Sequence, residues 1–530
     1  MKLLYLLGTA VTLAAAPSIT GVYNAGSWIP PSLPNSGLTQ GAYFTITGNN
    51  LGPDTLIVAG SYPLQTMQGL GGTVVQATVG GVTETCIMYY SSVSQVSAIL
   101  PSATPIGTGT MSVTYQGGTT TVAIQVVAAS FGMFTLNSAG SGPASVTDLN
   151  YNPITMVNAA HPGDTVILWG TGLGAVTGDE TEPPAAPSNF PGVQVLIENQ
   201  LVTPIYAGRS SYPGLDQIDV TIPPGISGGC KTSIGVVVNG VMGNVVSTSI
   251  SPAGQTVCGD TFGIMTAANM TKAAANGSLN LGLVDLSRVS SEDDLFGGSF
   301  ANYPLNSLIR SWGGSFGPSI GSCIVYEQVG GAALLLEDPI VAGLTHLKTG
   351  VSLTVASSTG TATVDESSTG TYGMALGTSA KPYISPGTYT VSNGSGGTDV
   401  AGFSWSETLP APVSFVNFPS TVNRSTDLTV TWSDSSAFTL VSVFGYSAVV
   451  LNSSQNSYAE FVCAAPASAT QFTIPAAILS LLPTNGYGAF AVPGAGFQVA
   501  GIIDNLFSVT GLDVGQFSVF TTSGPVVKVQ

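Results

Sequence analysis

Gly163-Asp164-Thr165-Val166-Ile167-Leu168-Trp169-Gly170-Thr171-Gly172-Leu173-Gly174 reads as a β-strand that opens and closes on glycine. A relative of it, Gly41-Ala42-Tyr43-Phe44-Thr45-Ile46-Thr47-Gly48-Asn49-Asn50-Leu51-Gly52, stands 122 positions earlier. In the earlier copy Phe44, Ile46 and Gly48 face one way and Tyr43, Thr45 and Thr47 the other. Such alternation marks a half-buried strand of an antiparallel sandwich. At the same offset Gln95 falls on Gln217, Val96 on Ile218, Pro101 on Pro223 and Gly118 on Gly240. Asn24-Ala25 echoes Asn158-Ala159 at an offset of 134, the difference lying in the Pro-rich segment from Trp28 to Thr39. A domain-sized period excludes a solenoid, whose repeats run to roughly 20–50 residues. The chain therefore carries tandem copies of one small β-domain. The glycine-flanked run is not a phosphate loop, since it lacks the Lys-Ser/Thr ending and a following helix.

Composition agrees with an all-β chain. The 67 glycines and 33 prolines punctuate short runs rich in Val, Thr, Ser and Ile, as strands separated by turns require. A length of 530 residues suggests about three to four domains. The expected division is a signal peptide over 1–16, sandwich modules over 17–128 and 129–252, a mostly β module over 253–410, and an immunoglobulin- or fibronectin-like sandwich over 411–530. These are tandem immunoglobulin-like sandwiches joined by short linkers, with a few helical turns. One such turn is expected from Thr266 to Ala275, with a threonine cap and a stop at Gly277. A capping-box-like acidic turn is expected from Ser290 to Asp294. Strands are expected at Ser322–Gln328, Val351–Ala356, Tyr372–Leu376, Thr388–Val391 and Val400–Trp405.

Charge narrows the partners. Only 7% of residues are charged, and 10 Lys+Arg against 27 Asp+Glu give a net charge of -17. Phosphate binding needs clustered Lys and Arg, so nucleic acid is not an expected partner, and anionic lipid is disfavoured for the same reason. The mean hydropathy of +0.39 belongs to sandwich cores. Beyond the N-terminus no run of about 18 apolar residues escapes Gly, Pro or polar interruption. Lys2, the run Leu3 to Val11, and Ala14-Ala15-Ala16 make up the three regions of a secretory signal, so the expected location is extracellular or cell-surface.

Export opens the five cysteines to oxidation. Cys230 and Cys258 flank an expected hairpin, Ser233–Val238 and Val245–Ile250 around Asn239-Gly240, and are the better-placed pair. Cys323 and Cys463 pair only if the two C-terminal domains touch. Cys86 is then a buried thiol. None has zinc-ligand spacing.

An early strand ending Gly170-Thr171-Gly172-Leu173-Gly174, a middle strand Gln217-Ile218-Asp219-Val220-Thr221-Ile222-Pro223, and a final Val238-Asn239-Gly240 hairpin resemble IPT/TIG-type immunoglobulin-like domains. More narrowly they resemble a family of uncharacterised secreted multi-domain bacterial proteins that end in such modules. The resemblance is specific over about 130–260 and weaker over 17–128. It implies an early-set immunoglobulin-like sandwich and extracellular placement, and brings no catalytic residues. Here Ser211-Tyr212-Pro213-Gly214 replaces the family's more usual Ser-Pro before the middle strand.

Few constellations could carry chemistry. Gly317-Pro318-Ser319-Ile320-Gly321 matches the nucleophile-elbow pattern, followed by Asp338 and His346, but no strand–helix alternation surrounds it, and it reads as a loop. His161 and His346 are the only histidines, too few for a zinc site. No cofactor is expected, and calcium is the metal whose ligand pattern comes nearest. Asp148-x-Asn150-x-Asn152 begins like an EF-hand loop, but Pro153 and Ala159 stand where glycine and the bidentate glutamate belong. Asp179-Glu180 with Glu182, and Glu292-Asp293-Asp294, read as solvated turns. Aromatics are the better clue to binding, because flat exposed rings suit sugars and protein partners. Trp169, standing where the first copy has Thr47, and the loop residues Trp28 and Trp312 are the candidates; Trp405 and Trp432 read as core. The expectation is a non-enzymatic structural or adhesion-type protein acting on an extracellular protein or polysaccharide. The alternative is a glycan-binding accessory or a hydrolase within 253–410.

Overall fold

The computed structural model describes residues 16–183, 189–288, 294–310, 317–329, 343–378, 380–452, 455–484 and 495–530. The signal expected over 1–16, Trp312, Asp338, Glu292 and Asp293 thus lie outside the described residues, save Ala16 at the end of that signal.

The architecture is all-β, and its first half is a tandem of immunoglobulin-like sandwiches. In the first, strands Ser18–Asn24, Tyr43–Asn49, Gln95–Ile99, Ile87–Ser91 and Ile57–Val58 form one sheet. Leu38–Thr39, Gly118–Val127, Gly107–Tyr115, Val74–Val79 and Val82–Thr85 form the other. Phe44, Ile46, Val75, Val96, Met111 and Val126 fill the space between them, each side chain contributing about 1.5–3 kcal/mol by leaving water. The second sandwich repeats the arrangement around Val166, Leu168, Val195, Ile218, Val220 and Val236.

Strand pairing proves the duplication more sharply than residue identity does. Phe44 lies opposite Ala98, Ile46 opposite Val96 and Thr47 opposite Gln95. In the second copy Val166 lies opposite Val220, Leu168 opposite Ile218 and Trp169 opposite Gln217, the same register moved by 122. A one-residue slip would turn every core side chain to the other face. The final hairpin departs from that offset. Its turn is Gln116-Gly117 in the first copy and Asn239-Gly240 in the second, all four at positive φ. Gly117, not Gly118, is therefore the counterpart of Gly240. The extra residue therefore enters ahead of the turn, and the strand Gly229–Val238 carries an irregularity with one residue more than its partner between Gly229 and Thr232, the usual way a strand accommodates an insertion.

The helix expected after Thr266 spans Ala267–Asn276. The Thr266 side chain accepts from the Asn269 N–H, and Gly277, at φ 74°, ends the helix in the left-handed region, where a residue without Cβ pays no steric penalty. Met270 and Ala273, three apart, bury one face against Leu279 and Leu281.

Among the described residues the C-terminal half holds a continuous thirteen-stranded sheet, with two smaller pairs beside it, Thr421–Val422 with Lys528–Val529 and Leu428–Thr431 with Gln471–Ile474. Its centre is a parallel pairing, Leu281–Arg288 against Val514–Thr521. The boundary expected at 410 thus falls inside a hydrogen-bonded sheet. Asp294, expected in an acidic turn, opens the strand Asp294–Pro304, its carboxylate paired with Arg288 and accepting from the Tyr383 and Ile384 N–H groups. The strand expected at Val400–Trp405 is Ser404–Leu409. Trp432 is buried, while Trp405 is half-buried and stacked on Phe507 at 5.6 Å.

Both cysteine pairs are bonded, Cys230–Cys258 and Cys323–Cys463, and Cys86 is a buried free thiol. The condition set for the second pair is met, because Cys323 sits directly opposite Cys463 on neighbouring strands.

Candidate binding cleft between the first two modules

The repeated stretch ends where the two sandwiches meet. The Gly172 and Leu173 N–H groups donate to one Asp216 carboxylate oxygen at 2.7 and 2.9 Å. The other oxygen takes Arg209 Nη1 at 2.5 Å, and Arg209 Nη2 donates to the Gly174 carbonyl at 3.1 Å. Asp216 and Arg209 are almost wholly buried, so each charge needs the other. From this base the second module grips the first. Thr171 Oγ1 accepts from the Tyr43 N–H and donates to the Gly214 carbonyl. Asn24 Nδ2 donates to the Ser130 and Thr171 carbonyls. Glu180 accepts from the Ser102 N–H and hydroxyl, and the Thr181 carbonyl accepts from the Leu64 N–H.

Beside this junction a cleft of about 1080 Å³ opens between the modules. Its walls carry Trp28, Tyr43, Tyr62, Tyr89, Tyr90, Phe134 and Tyr212, and no charged side chain among the described residues lines it. Tyr43 and Tyr89 lie 5.1 Å apart between ring centroids, and Tyr89 and Tyr90 6.1 Å. Tyr212 is 57% exposed, Tyr62 43% and Tyr89 39%, so three rings face solvent while their neighbours anchor them. Burial, then the nearby Tyr89 and Tyr62, pushes the Tyr43 hydroxyl up, and burial, then Tyr212 and Tyr89, raises Tyr62. These phenols stay protonated at any physiological pH, each a donor and an acceptor. Thr45, Ser61, Gln95, Ser97, Thr135 and Ser138 add neutral polar groups to the same walls.

Of the tryptophans singled out in the sequence, Trp28 lines this cleft, its ring 5.7 Å from Tyr23. Trp169 does not line it. It is half-buried on its own sheet, with Nε1 donating to Thr147 Oγ1 at 3.1 Å and the exposed Tyr151 ring 6.2 Å away. The five tyrosines escaped the sequence reading. The Tyr212-Pro213-Gly214 departure was their one visible signal: Tyr212 enters the cleft, and Gly214 sits at φ 73°, where a Cβ would come within 2.9 Å of Ile99 and Tyr43.

The other candidates serve as ties. Ser319 is buried, its hydroxyl donating to Asp260 at 2.7 Å and accepting from the Lys231 N–H, which fastens the second module to the C-terminal half. His346 is exposed on the short strand Thr345–His346. Asp148 accepts from the Asn150 and Asn152 N–H groups and from Asn152 Nδ2, which closes a local turn. Asp179 accepts from Thr181. His161 bridges Asp164 and the Gln255 carbonyl at 2.8 Å each. Among the described residues no three His, Cys, Asp or Glu side chains are grouped so as to hold a metal ion.

No protein-family model and no curated protein sequence matches the chain. Solved structures that align with it include four tandem immunoglobulin domains of Sidekick-1, at 10% identity over 97% of this chain and 99% of that one, with a TM-score of 0.13. A tetra-tandem repeat from the extending region of a large adhesion protein aligns at 13% identity over 93% and 97%, TM-score 0.13. A Ca2+-stabilized ice-binding adhesin of an Antarctic bacterium aligns at 11% identity over 92% and 94%, TM-score 0.11. At such low scores the fold rests on the strand pairings described above.

Proposed function

We propose that the chain is a non-enzymatic, extracellular adhesion-type protein of tandem IPT/TIG-type modules, and that the cleft between its first two modules holds a neutral polysaccharide. The aromatic, charge-free lining of that cleft carries the reading. Sugar rings present flat C–H faces to aromatic rings and hydroxyls to neutral donors and acceptors, and the cleft offers both. A cleft of about 1080 Å³ has room for more than one sugar unit, on the scale of roughly 300–1,000 Å³ for ligand pockets. Two disulfides support an oxidising compartment, and no described helix is long and apolar enough to cross a membrane.

The test is a glycan array with the full chain, followed by titration of the best neutral polysaccharide. Tyr89→Ala and Tyr212→Ala are expected to weaken binding about tenfold each, in line with about 1–2 kcal/mol per aromatic contact. Trp169→Ala is expected to leave it unchanged. Binding untouched by either tyrosine change, or confined to charged glycans, would overturn the reading.

A further inference from the structure

The outer face of the large C-terminal sheet holds a second cavity, of about 170 Å³. Its floor follows from strand parity. On the strands Leu440–Asn452, Ala495–Phe507 and Val514–Ser523, residues Val441, Val443, Ile503, Phe517 and Val519 point into the core. Their neighbours Leu440, Ser442, Phe444, Ile502, Asp504 and Ser518 line the cavity. Phe262 and Gly317-Pro318, which belong to none of these strands, supply its wall.

Two carboxylates stand on this floor in one row. Ser518 lies opposite Asp504 on one side and opposite Asp285 on the other. Asp504 is 7% exposed and accepts from Gln516 Nε2 at 2.5 Å and Ser518 Oγ at 2.7 Å. Asp285 is half-buried and, among the described residues, accepts a long 3.4 Å bond from Ser287. A Cβ at Gly297 would meet Asp285 Oδ1 at 2.3 Å, so the carboxylate lies directly across a glycine. Gln516, itself 7% exposed and lining the cavity, spends its amide nitrogen on Asp504 and Ser518, and its Oε1 has no hydrogen-bond partner among the described residues. Asp285, Asp504 and Gln516 thus present acceptors to the cavity, beside the hydroxyls of Tyr326, Ser442 and Ser518. No lysine or arginine among the described residues lines it, and none of the four ion pairs among the described residues involves Asp285 or Asp504.

Buried carboxylates without a cation are costly and persist where something compensates them. Burial pushes Asp285 up to about 6 and raises Asp504, as expected of carboxylates waiting for a counter-charge. Leu283, Leu440, Phe444, Ile324, Val462 and Phe520 add apolar walls, and Tyr326 and Ser442 stand among them. We infer that this cavity binds a small organic ammonium with an apolar body, the ammonium held between Asp285 and Asp504 and the hydrocarbon against the surrounding side chains. A cavity of this size matches a six-carbon body, since about 150 Å³ accommodates benzene.

Calorimetric titration of the full chain at neutral pH with cyclohexylamine and with cyclohexanol tests this. The amine is expected to bind and the alcohol to bind at least tenfold more weakly. Asp504→Asn and Asp285→Asn are each expected to reduce amine affinity about tenfold. Asp285 is the more exposed of the two, so Asp285→Asn carries the test if Asp504→Asn fails to fold. Equal binding of amine and alcohol, or amine binding indifferent to Asp285→Asn, would overturn the inference. So would failure of the amine to bind while calcium chloride raises the thermal midpoint through the same two aspartates.

Discussion

The strands Tyr43–Asn49 and Thr165–Thr171 share one register, yet the loops that follow them are held by different means. In the first copy the Leu51 N–H donates to the Val93 carbonyl at 2.9 Å. In the second the equivalent Leu173 N–H donates to the Asp216 side chain at the same distance. Shifted by 122, Asp216 stands where the first copy has Ser94, and Arg209 where it has Ile87. A backbone tie is local and independent of side-chain identity. A buried ion pair reaches further, and here it sets the loop against the neighbouring sandwich. One strand-and-loop motif is thus fastened within its own sandwich in the first copy and serves as a joint in the second.

The largest expected effect separates these two means of fastening. Asp216→Ala leaves Arg209 buried without its partner and should cost about 3–5 kcal/mol in chemical denaturation. The double change Arg209→Ile with Asp216→Ser, which copies the first module, should cost less than either change alone. A double variant as damaged as the sum of the singles would break the comparison. Next comes the Cys230–Cys258 bond, which the first copy lacks. Cys230→Ser with Cys258→Ser opens a loop of sequence separation 28 and should lose about 3–4 kcal/mol by the chain-entropy relation, read from the same denaturation curves.

A third contrast is in protons. Burial pushes Asp260 up to about 6, and Glu327 and Glu460 up to about 8, and none of the three belongs to the first module. Between the ordinary carboxylate range and about pH 8 the native state keeps protons that the unfolded chain has released. Stability therefore falls as pH rises through that window. The thermal midpoint should be higher at pH 5 than at pH 8, and Glu460→Gln should flatten the difference. A midpoint that rises with pH would contradict the sign. The smallest effect is expected from Trp169→Thr, the first-copy residue. Thr47 bonds Thr20 at 2.9 Å as Trp169 bonds Thr147, so the change should stay within about 1 kcal/mol.

The tandem sandwiches were legible because the strands Tyr43–Asn49 and Thr165–Thr171 keep one register with their partners from end to end. The capped helix was legible because its start signal, Thr266, and its stop signal, Gly277, are local. The strand Ser278–Arg288 was not, and the reason is physical. Leu279 and Leu281 face the helix, while Val284 and Leu286 face the opposite core. The apolar residues change side after Leu283, which still packs with Leu281, and no single period survives. The cleft was half legible. Trp28 stood out as a large residue in a loop, but Tyr43, Tyr89 and Tyr212 converge from three separate segments, and their meeting depends on how two modules dock. That docking leaves no periodic trace in sequence.

The parallel pairing of Leu281–Arg288 with Val514–Thr521 also fixes an order of events. A strand formed soon after the middle of the chain waits for a partner that begins at residue 514 of 530, and contacts this distant in sequence form slowly. During synthesis the unpaired edge is a template for other strands. A chain cut short before Val514 would expose it permanently, so late truncations of this protein should aggregate rather than shorten cleanly.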